Sequence, residues 1–177
     1  MESIEMKQQK VLITCGPSGS GKSTWLIKQM RPLEDICISR DNIRFMLLKD
    51  GEDYFTHENK VKNIFYSAIR SNTFTSKDFD TVFVDATHLT PKSRRLTTNH
   101  IAPDTYKIAV SFEVPVEVAL ERNAQRTGRA LVPESVIRNM HYQYIKPTIK
   151  EGFDEVWHID EEGNIRKEFK NGNIFLL

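Results

Sequence analysis

The sequence predicts an α/β fold with a mostly parallel sheet of about five strands and helices on both of its faces. Three observations lead there. Short β-rich apolar runs alternate with segments of helical spacing from end to end, the pattern of repeated strand-helix-strand units. The run FDTVFVDAT is apolar almost throughout, as a strand covered on both faces must be. Residues with chemistry to offer follow directly after the apolar runs, at the strand ends where ligands gather in such sheets. A chain of 177 residues is long enough for one such domain with a sizeable core and short for two.

Taken in order, residues 1–9 form a polar tail, and KVLITCG is the first strand. GKSTWLIKQM follows as a helix by the spacing of Trp25, Leu26 and Met30. EDICISRD is a second strand leading into DNIRFMLLK, a helix with Asp41 or Asn42 at the N-cap. Residues 57–72 put Val61, Ile64, Phe65, Ala68 and Ile69 on one helical face. After the third strand, FDTVFVDAT, Pro91 opens the helix PKSRRLTTNHI. YKIAVSFEV is the fourth strand, and Pro115 and Pro133 open the helices PVEVALERNAQR and PESVIRNMHYQY. EVWHID is the fifth strand; beyond it, residues 161–177 form a C-terminal extension in which EEGN and KNGN set off IRKEF and IFLL as edge strands.

Composition narrows the function classes. With 39% hydrophobic and 28% charged residues the chain reads as globular and not disordered. It has no apolar run of the roughly 18 residues a membrane helix needs, and MESIEMKQQK reads as neither signal nor lipidation site. The expected location is the cytoplasm, with no membrane partner. Cys15 and Cys37 lie in strand-like runs and read as small buried thiols. A net charge of +1 argues against a uniformly basic nucleic-acid coat and leaves room for a local basic groove.

The stretch CGPSGSGKST carries the first chemistry. Gly16, Gly21, Lys22 and Ser23 satisfy G-x-x-x-x-G-K-[ST], after a strand and opening a helix. The loop Gly16, Pro17, Ser18, Gly19, Ser20, Gly21, Lys22, Ser23, Thr24 is therefore the expected ATP cradle of a P-loop NTPase, its backbone N–H groups and the helix N-terminus facing the phosphates. Lys22 reaches the β and γ phosphates and Ser23 holds Mg²⁺. Asp85, ending the apolar strand in VFVDAT, is placed to orient that Mg²⁺ or its waters and to stand on the substrate side. Thr87 and His88 are given no role.

What receives the phosphate is read from ISRDNIR. Asp41 and Arg44 leave the second strand three residues apart on a helix, so both emerge near the cradle. A carboxylate there takes the proton of an attacking hydroxyl, an effect of about 10² to 10⁴ in rate; an arginine beside it clamps an anion on the acceptor. In ERNAQRTGRALVP, Arg122, Arg126 and Arg129 surround Gly128, which suits a helical lid over residues 122–132 closing cations onto the triphosphate. Arg122 and Arg126 are four apart and share a helical face. A GTPase is unsupported, since NKVK at 59–62 lacks the final Asp of a guanine-reading N-K-x-D motif.

GPSGSGKSTW, SRDNIR, VDATHLTPKSRR and ERNAQRTGRALVP together resemble, in order and approximate spacing, the kinase domain of phage T4-type polynucleotide 5'-hydroxyl kinases. The resemblance runs from about Val11 to Asp160. It implies transfer of the γ phosphate of ATP to the 5'-OH of DNA or RNA, in nucleic-acid end healing. It implies that Lys22 and Ser23 serve ATP and Mg²⁺, that Asp41 is the general base, that Arg44 holds the phosphate beside the 5' nucleoside, and that Arg126, with Arg122, is a lid cation on ATP.

The chain departs from that family's enzymes in one respect. Their 3'-phosphatase signature, Asp-x-Asp-x-Thr after a strand, has only DFDTV at 78–82 as a counterpart, with the Thr one place early, so no phosphatase is expected. Two other readings use the same residues: a kinase of a small-molecule hydroxyl on a nucleoside, sugar or antibiotic, and a non-catalytic ATP-binding module. Trp25, Phe45, Tyr142 and Tyr144 could stack on a base, although aromatics at helical spacing are usually core, and Lys92, Arg94 and Arg95 could line a basic groove or equally form a solvated face.

Overall fold

The computed structural model describes residues 8–176. Seven strands form one sheet in the order β2-β3-β1-β4-β5-β6-β7: β1 is Lys10–Cys15, β2 Asp35–Ser39, β3 Thr81–Asp85, β4 Tyr106–Glu113, β5 Glu155–Asp160, β6 Ile165–Phe169 and β7 Ile174–Leu176. The first five pair in parallel, and β6 and β7 add antiparallel strands at one edge. The fold class expected from the sequence is thus the one observed; IRKEF and IFL are both strands, but of the two only IFL is at the edge, since IRKEF pairs with β5 and β7. Six α-helices lie among them: α1 Lys22–Gln29, α2 Arg40–Leu47, α3 Glu58–Arg70, α4 Pro91–Thr98, α5 Val116–Ala124 and α6 Glu134–Gln143.

The alternation of side chains along each strand divides the core in two. Val11, Ile13 and Cys15 of β1 join Val82 and Val84 of β3 on one face, under Ile43 of α2 and Val61, Phe65 and Ile69 of α3. Leu12 and Phe83 point the other way, toward Leu26 of α1, with Ile108, Val110 and Phe112 of β4. Each such buried aliphatic or aromatic side chain contributes about 1.5–3 kcal/mol, so both faces are anchored and the strand ends between them are fixed.

Several sequence expectations change in detail. The N-cap of α2 is Ser39, whose hydroxyl accepts from the Asn42 N–H at 3.4 Å; the helix begins at the residue after β2, which puts Asp41 and Asn42 inside its first turn. Ile64 is 43% exposed, because the buried stripe of α3 follows Val61, Phe65 and Ile69 at strict four-residue steps. α3 ends at Arg70 and passes into a π-helical turn, Ser71–Thr75. Of the polar tail, residues 1–7 lie outside the described residues, but Gln9 is buried and its amide donates to the carbonyls of Asn72 and Phe79. Among the described residues no helix is long and apolar enough to cross a membrane.

Candidate active site

All five parallel strands deliver their carboxyl ends to one edge of the sheet, and the register sets what meets there: Ser39 is level with Asp85, and Cys15 with Ser111. The loop after β1 bends at once. Gly19 sits at φ +83°, and a Cβ on it would lie 2.4 Å from the Ala119 carbonyl of α5, so only glycine lets the loop lie against that helix. Gly21, at φ +95°, precedes α1 without a side-chain cap, which leaves the first N–H groups of the helix to an anion.

Lys22 is folded into this loop. Its ammonium donates to the Gly16 and Pro17 carbonyls at 2.9 and 2.6 Å. Burial pushes its pKa down to about 8, against the upward pull of the Asp85 and Asp41 carboxylates, while Arg126 adds to the depression. A cation stored on carbonyls it can exchange for phosphate oxygens is what a triphosphate cradle requires.

Asp85 is held from two neighbouring strands: the Thr14 hydroxyl donates to one carboxylate oxygen at 3.0 Å and the Ser39 hydroxyl to the other at 3.2 Å. Ser39 therefore both caps α2 and anchors Asp85, joining the two acidic positions, and sequence reasoning missed it along with Thr14. Asp41 and Arg44 form a direct ion pair, as their helical spacing implies. Around them stands a second group that no sequence motif marks. The Tyr54 hydroxyl donates to Asp41 Oδ1 at 2.6 Å and accepts from Arg44 at 2.8 Å; Glu58 accepts from Arg44 at 2.8 Å and also pairs with Arg40. Arg44 is only 5% exposed, and its guanidinium carbon lies 4.3 Å from the Tyr54 ring centroid.

On the other side of the loop, Arg122 donates to the Ser20 and Glu161 carbonyls at 3.3 and 3.0 Å, and Arg126 to the Ser18 hydroxyl at 3.2 Å. Both arginines reach the cradle, but not on a shared helical face: α5 ends at Ala124. Of the segment expected to be a helical lid, residues 122–124 are the end of α5 and the rest is largely irregular with a single 3₁₀ turn at Gly128–Ala130, because Thr127 is extended and Gly128 left-handed. Buried Asn123 closes it, exchanging two bonds with the Val132 backbone at 2.8 and 3.0 Å. Arg129 points elsewhere, to the Lys49 carbonyl and Asp50.

Between α1, α5 and the β5–β6 turn a cleft of about 480 Å³ opens beside the loop, lined by Trp25, Arg122, Gln125, Arg126 and the turn Asp160–Gly163. Sequence reasoning found its arginines and missed the turn. Trp25 packs edge-on to Phe83, Phe112 and Trp157, Phe45 packs edge-on to Tyr54, Tyr142 is 90% exposed, and the Tyr144 hydroxyl bonds Ser111 and the Cys15 carbonyl. Arg94 does not line a groove. It is fully buried, paired with Glu151 and donating to the His88 and Ile145 carbonyls. His88, read as an unassigned loop residue, is also buried, bonded to the Thr14 carbonyl at 2.8 Å and to the Thr97 hydroxyl at 2.9 Å.

The donor set fits a triphosphate and one Mg²⁺. Ser23 is exposed in the first turn of α1, and Asp85 has its carboxylate pinned by Thr14 and Ser39 at the end of β3. Among the described residues no group of three or more His, Cys, Asp or Glu could hold a metal unaided.

A family model described as an AAA domain matches residues 11–147, most of the chain. No curated protein matches the sequence. Among solved structures, a chain of the Pnkp1/Rnl/Hen1 RNA repair complex superposes with a TM-score of 0.64 at 23% identity, covering 81% of this chain and 46% of its own. This chain thus spans less than half the length of that one. A putative kinase from Chloroflexus aurantiacus gives 0.64 at 13% identity, covering 88% and 86%. A sugar kinase from Janibacter sp. gives 0.56 at 18%, covering 87% and 86%. At these identities the likeness is one of fold: a P-loop kinase-like α/β domain.

Proposed function

Since the chain belongs to the AAA domain family and carries a P-loop kinase-like fold, we propose that it transfers the γ phosphate of ATP to the 5'-hydroxyl end of DNA or RNA, with Asp41 as general base. The observation that carries this reading is the pairing of Asp41 with Arg44 at the end of β2, across from a cradle bordered by Lys22, Arg122 and Arg126. A carboxylate and a guanidinium together suit an alcohol that has an anion next to it, as a 5' end has in its 3'-side phosphate. A chain of similar fold belongs to an RNA repair complex, which supports the same substrate class.

In this mechanism the triphosphate lies along the loop 16–24 and the cleft beside Trp25 takes the nucleoside. Lys22 leaves the Gly16 and Pro17 carbonyls for the β and γ oxygens. Arg126 and Arg122 turn from Ser18 and Ser20 to the phosphates, neutralising charge that builds in the transition state. Ser23, with Asp85, would hold Mg²⁺, which would supply further neutralisation of the triphosphate's charge. Asp41 accepts the proton of the incoming alcohol, and Arg44 holds the neighbouring phosphate. The segment 122–132 acts as the lid.

A second reading, a small-molecule hydroxyl kinase, is favoured by one observation: Arg44 is already engaged by Asp41, Glu58 and Tyr54, which leaves less of it for an acceptor phosphate. Offering γ-labelled ATP with 5'-OH oligonucleotides, a 3'-mononucleotide, a free nucleoside and gluconate separates the two. We expect label on the oligonucleotides and the 3'-mononucleotide and much less on the others, since a charge-assisted bond to the phosphate contributes about 1.5–3 kcal/mol. Asp41→Asn should abolish transfer while ATP still binds; full transfer by that variant rejects Asp41 as the general base, whereas ATP binding by the wild type with no acceptor labelled favours a binding module.

A further inference from the structure

Next to Asp41 the protein holds an aromatic ring open to solvent where a buried one would be expected. Phe55 is 67% exposed. It is nonetheless well fixed: its ring meets that of Tyr54 edge-on, with centroids 4.9 Å apart and planes at 87°, and the Arg44 guanidinium lies 5.7 Å from its centroid. Tyr54 is fixed in turn by its bonds to Asp41 and Arg44 and by Phe45, edge-on at 6.2 Å. The loop carrying both rings is tied across the site by Arg129, which donates to the Lys49 carbonyl and Asp50. A large apolar side chain held rigid yet uncovered, one residue from the tyrosine that bonds the proposed base, has a cost in water that a bound ligand would remove.

We infer that Phe55, braced by Tyr54, is the stacking platform for the terminal base of the acceptor. This rests on the polynucleotide reading above and extends it by naming what recognises the acceptor beyond its hydroxyl and phosphate. Three features choose a nucleobase over another occupant. The platform adjoins the carboxylate that the acceptor's alcohol must reach, so whatever covers it is attached to that alcohol. An aromatic side chain stacks on any flat ring without reading its edge, and two-thirds of Phe55 is uncovered. And the neighbouring Arg44 adds a cation to the same surface, which suits a ring attached to a phosphate. A sugar or gluconate has no ring of this kind and would leave Phe55 wet.

The test compares two 5'-OH oligonucleotides, one with an ordinary terminal nucleoside and one abasic at the 5' position, for the wild-type chain and for Phe55→Ala and Phe55→Trp. The wild type should show a KM for the abasic acceptor about tenfold higher, the scale of one base stacked on an aromatic side chain. Phe55→Ala should raise the KM for the normal acceptor by a similar factor, leave that for the abasic one unchanged, and leave the KM for ATP unchanged; Phe55→Trp should keep the preference. Transfer to both oligonucleotides with the same preference in wild type and Phe55→Ala overturns the platform and leaves the polynucleotide reading standing. Absence of transfer to either by the wild type, with a small alcohol labelled in their place, overturns that reading and the platform with it.

Discussion

On the proposed reading, the surroundings of Lys22 set a pH dependence for ATP binding. Its ammonium is enclosed by carbonyls, and burial brings its pKa down to about 8 before ATP arrives. A bound triphosphate places several negative charges against it and favours the charged form. Affinity for ATP should therefore hold below pH 8 and fall as pH rises through that value, by about tenfold per unit at most. Measuring KM for ATP between pH 7 and 9.5 checks this; Lys22→Arg, whose guanidinium stays protonated, should flatten the curve. Tyr54 acts at the same scale through Asp41. Its hydroxyl and Arg44 both bond Oδ1, which orients the carboxylate and leaves Oδ2 for the alcohol. Tyr54→Phe should lower kcat about tenfold with KM for ATP unchanged. Retention of full kcat by Tyr54→Phe counts against a positioning role. Sequence reading reached Lys22, Asp41 and Arg44 because strand ends and helical spacing fix them locally. It missed Tyr54 and Glu58, whose place beside Asp41 depends on how a loop and the first turn of α3 fold back over α2, and neither belongs to a motif.

At the scale of elements, the most consequential surprise is α4. PKSRRLTTNHI reads as a helix from Pro91, and so it is, closed by a capping box between Thr90 and Ser93. Whether its arginines face water or protein is a tertiary question that its period alone does not answer. Arg95 is exposed, whereas Arg94 is fully buried and bonds Glu151 through two nitrogens, at 2.7 and 2.8 Å. Through the His88 and Ile145 carbonyls the same guanidinium ties the loop after β3 to the segment behind α6. That segment carries Tyr144, whose hydroxyl reaches the Cys15 carbonyl at the base of the cradle. Arg94→Ala leaves Glu151 and the His88, Ile145 and Lys146 carbonyls without this partner. It should cost about 3 kcal/mol of stability, the lower end for breaking one half of a buried pair, read as a lower midpoint in urea. A loss below about 0.5 kcal/mol would mean that α4 is held by its apolar contacts alone. The lid segment teaches the complementary lesson: its arginines were legible from their residue type and position, but its path was not, since Gly128 and the Asn123 bonds to Val132 replace the helix that four-residue spacing suggests.

For the molecule as a whole, acid stability should be decided in two separate windows. His88 is buried under the cradle, and burial brings its pKa down to about 4, the Thr14 bond opposing and the Arg40, Arg94 and Lys22 charges assisting. Because Nδ1 faces the Thr14 carbonyl, it must donate, so in the neutral ring Nε2 accepts from Thr97. In the unfolded chain the ring titrates near 6.5. Between those values the unfolded state binds the extra proton, so stability is complete above about pH 6.5 and declines as pH falls toward 4. The slope amounts to about 2 kcal/mol between pH 7 and 5. Glu113 acts lower. Burial opposes its charge, but its bonds to His158 and Lys146 outweigh that and hold its pKa at about 2, so its contribution is present above the ordinary carboxylate range and is lost only as pH drops through it. Urea unfolding at a series of pH values should therefore show a first decline below 6.5 that His88→Asn removes, since an amide nitrogen can still serve the Thr14 carbonyl without taking up a proton. Glu113→Gln should leave that first decline intact and change only the one below about pH 4.5. An unaltered slope between pH 6.5 and 5 in His88→Asn would move the origin of acid sensitivity away from the base of the phosphate loop.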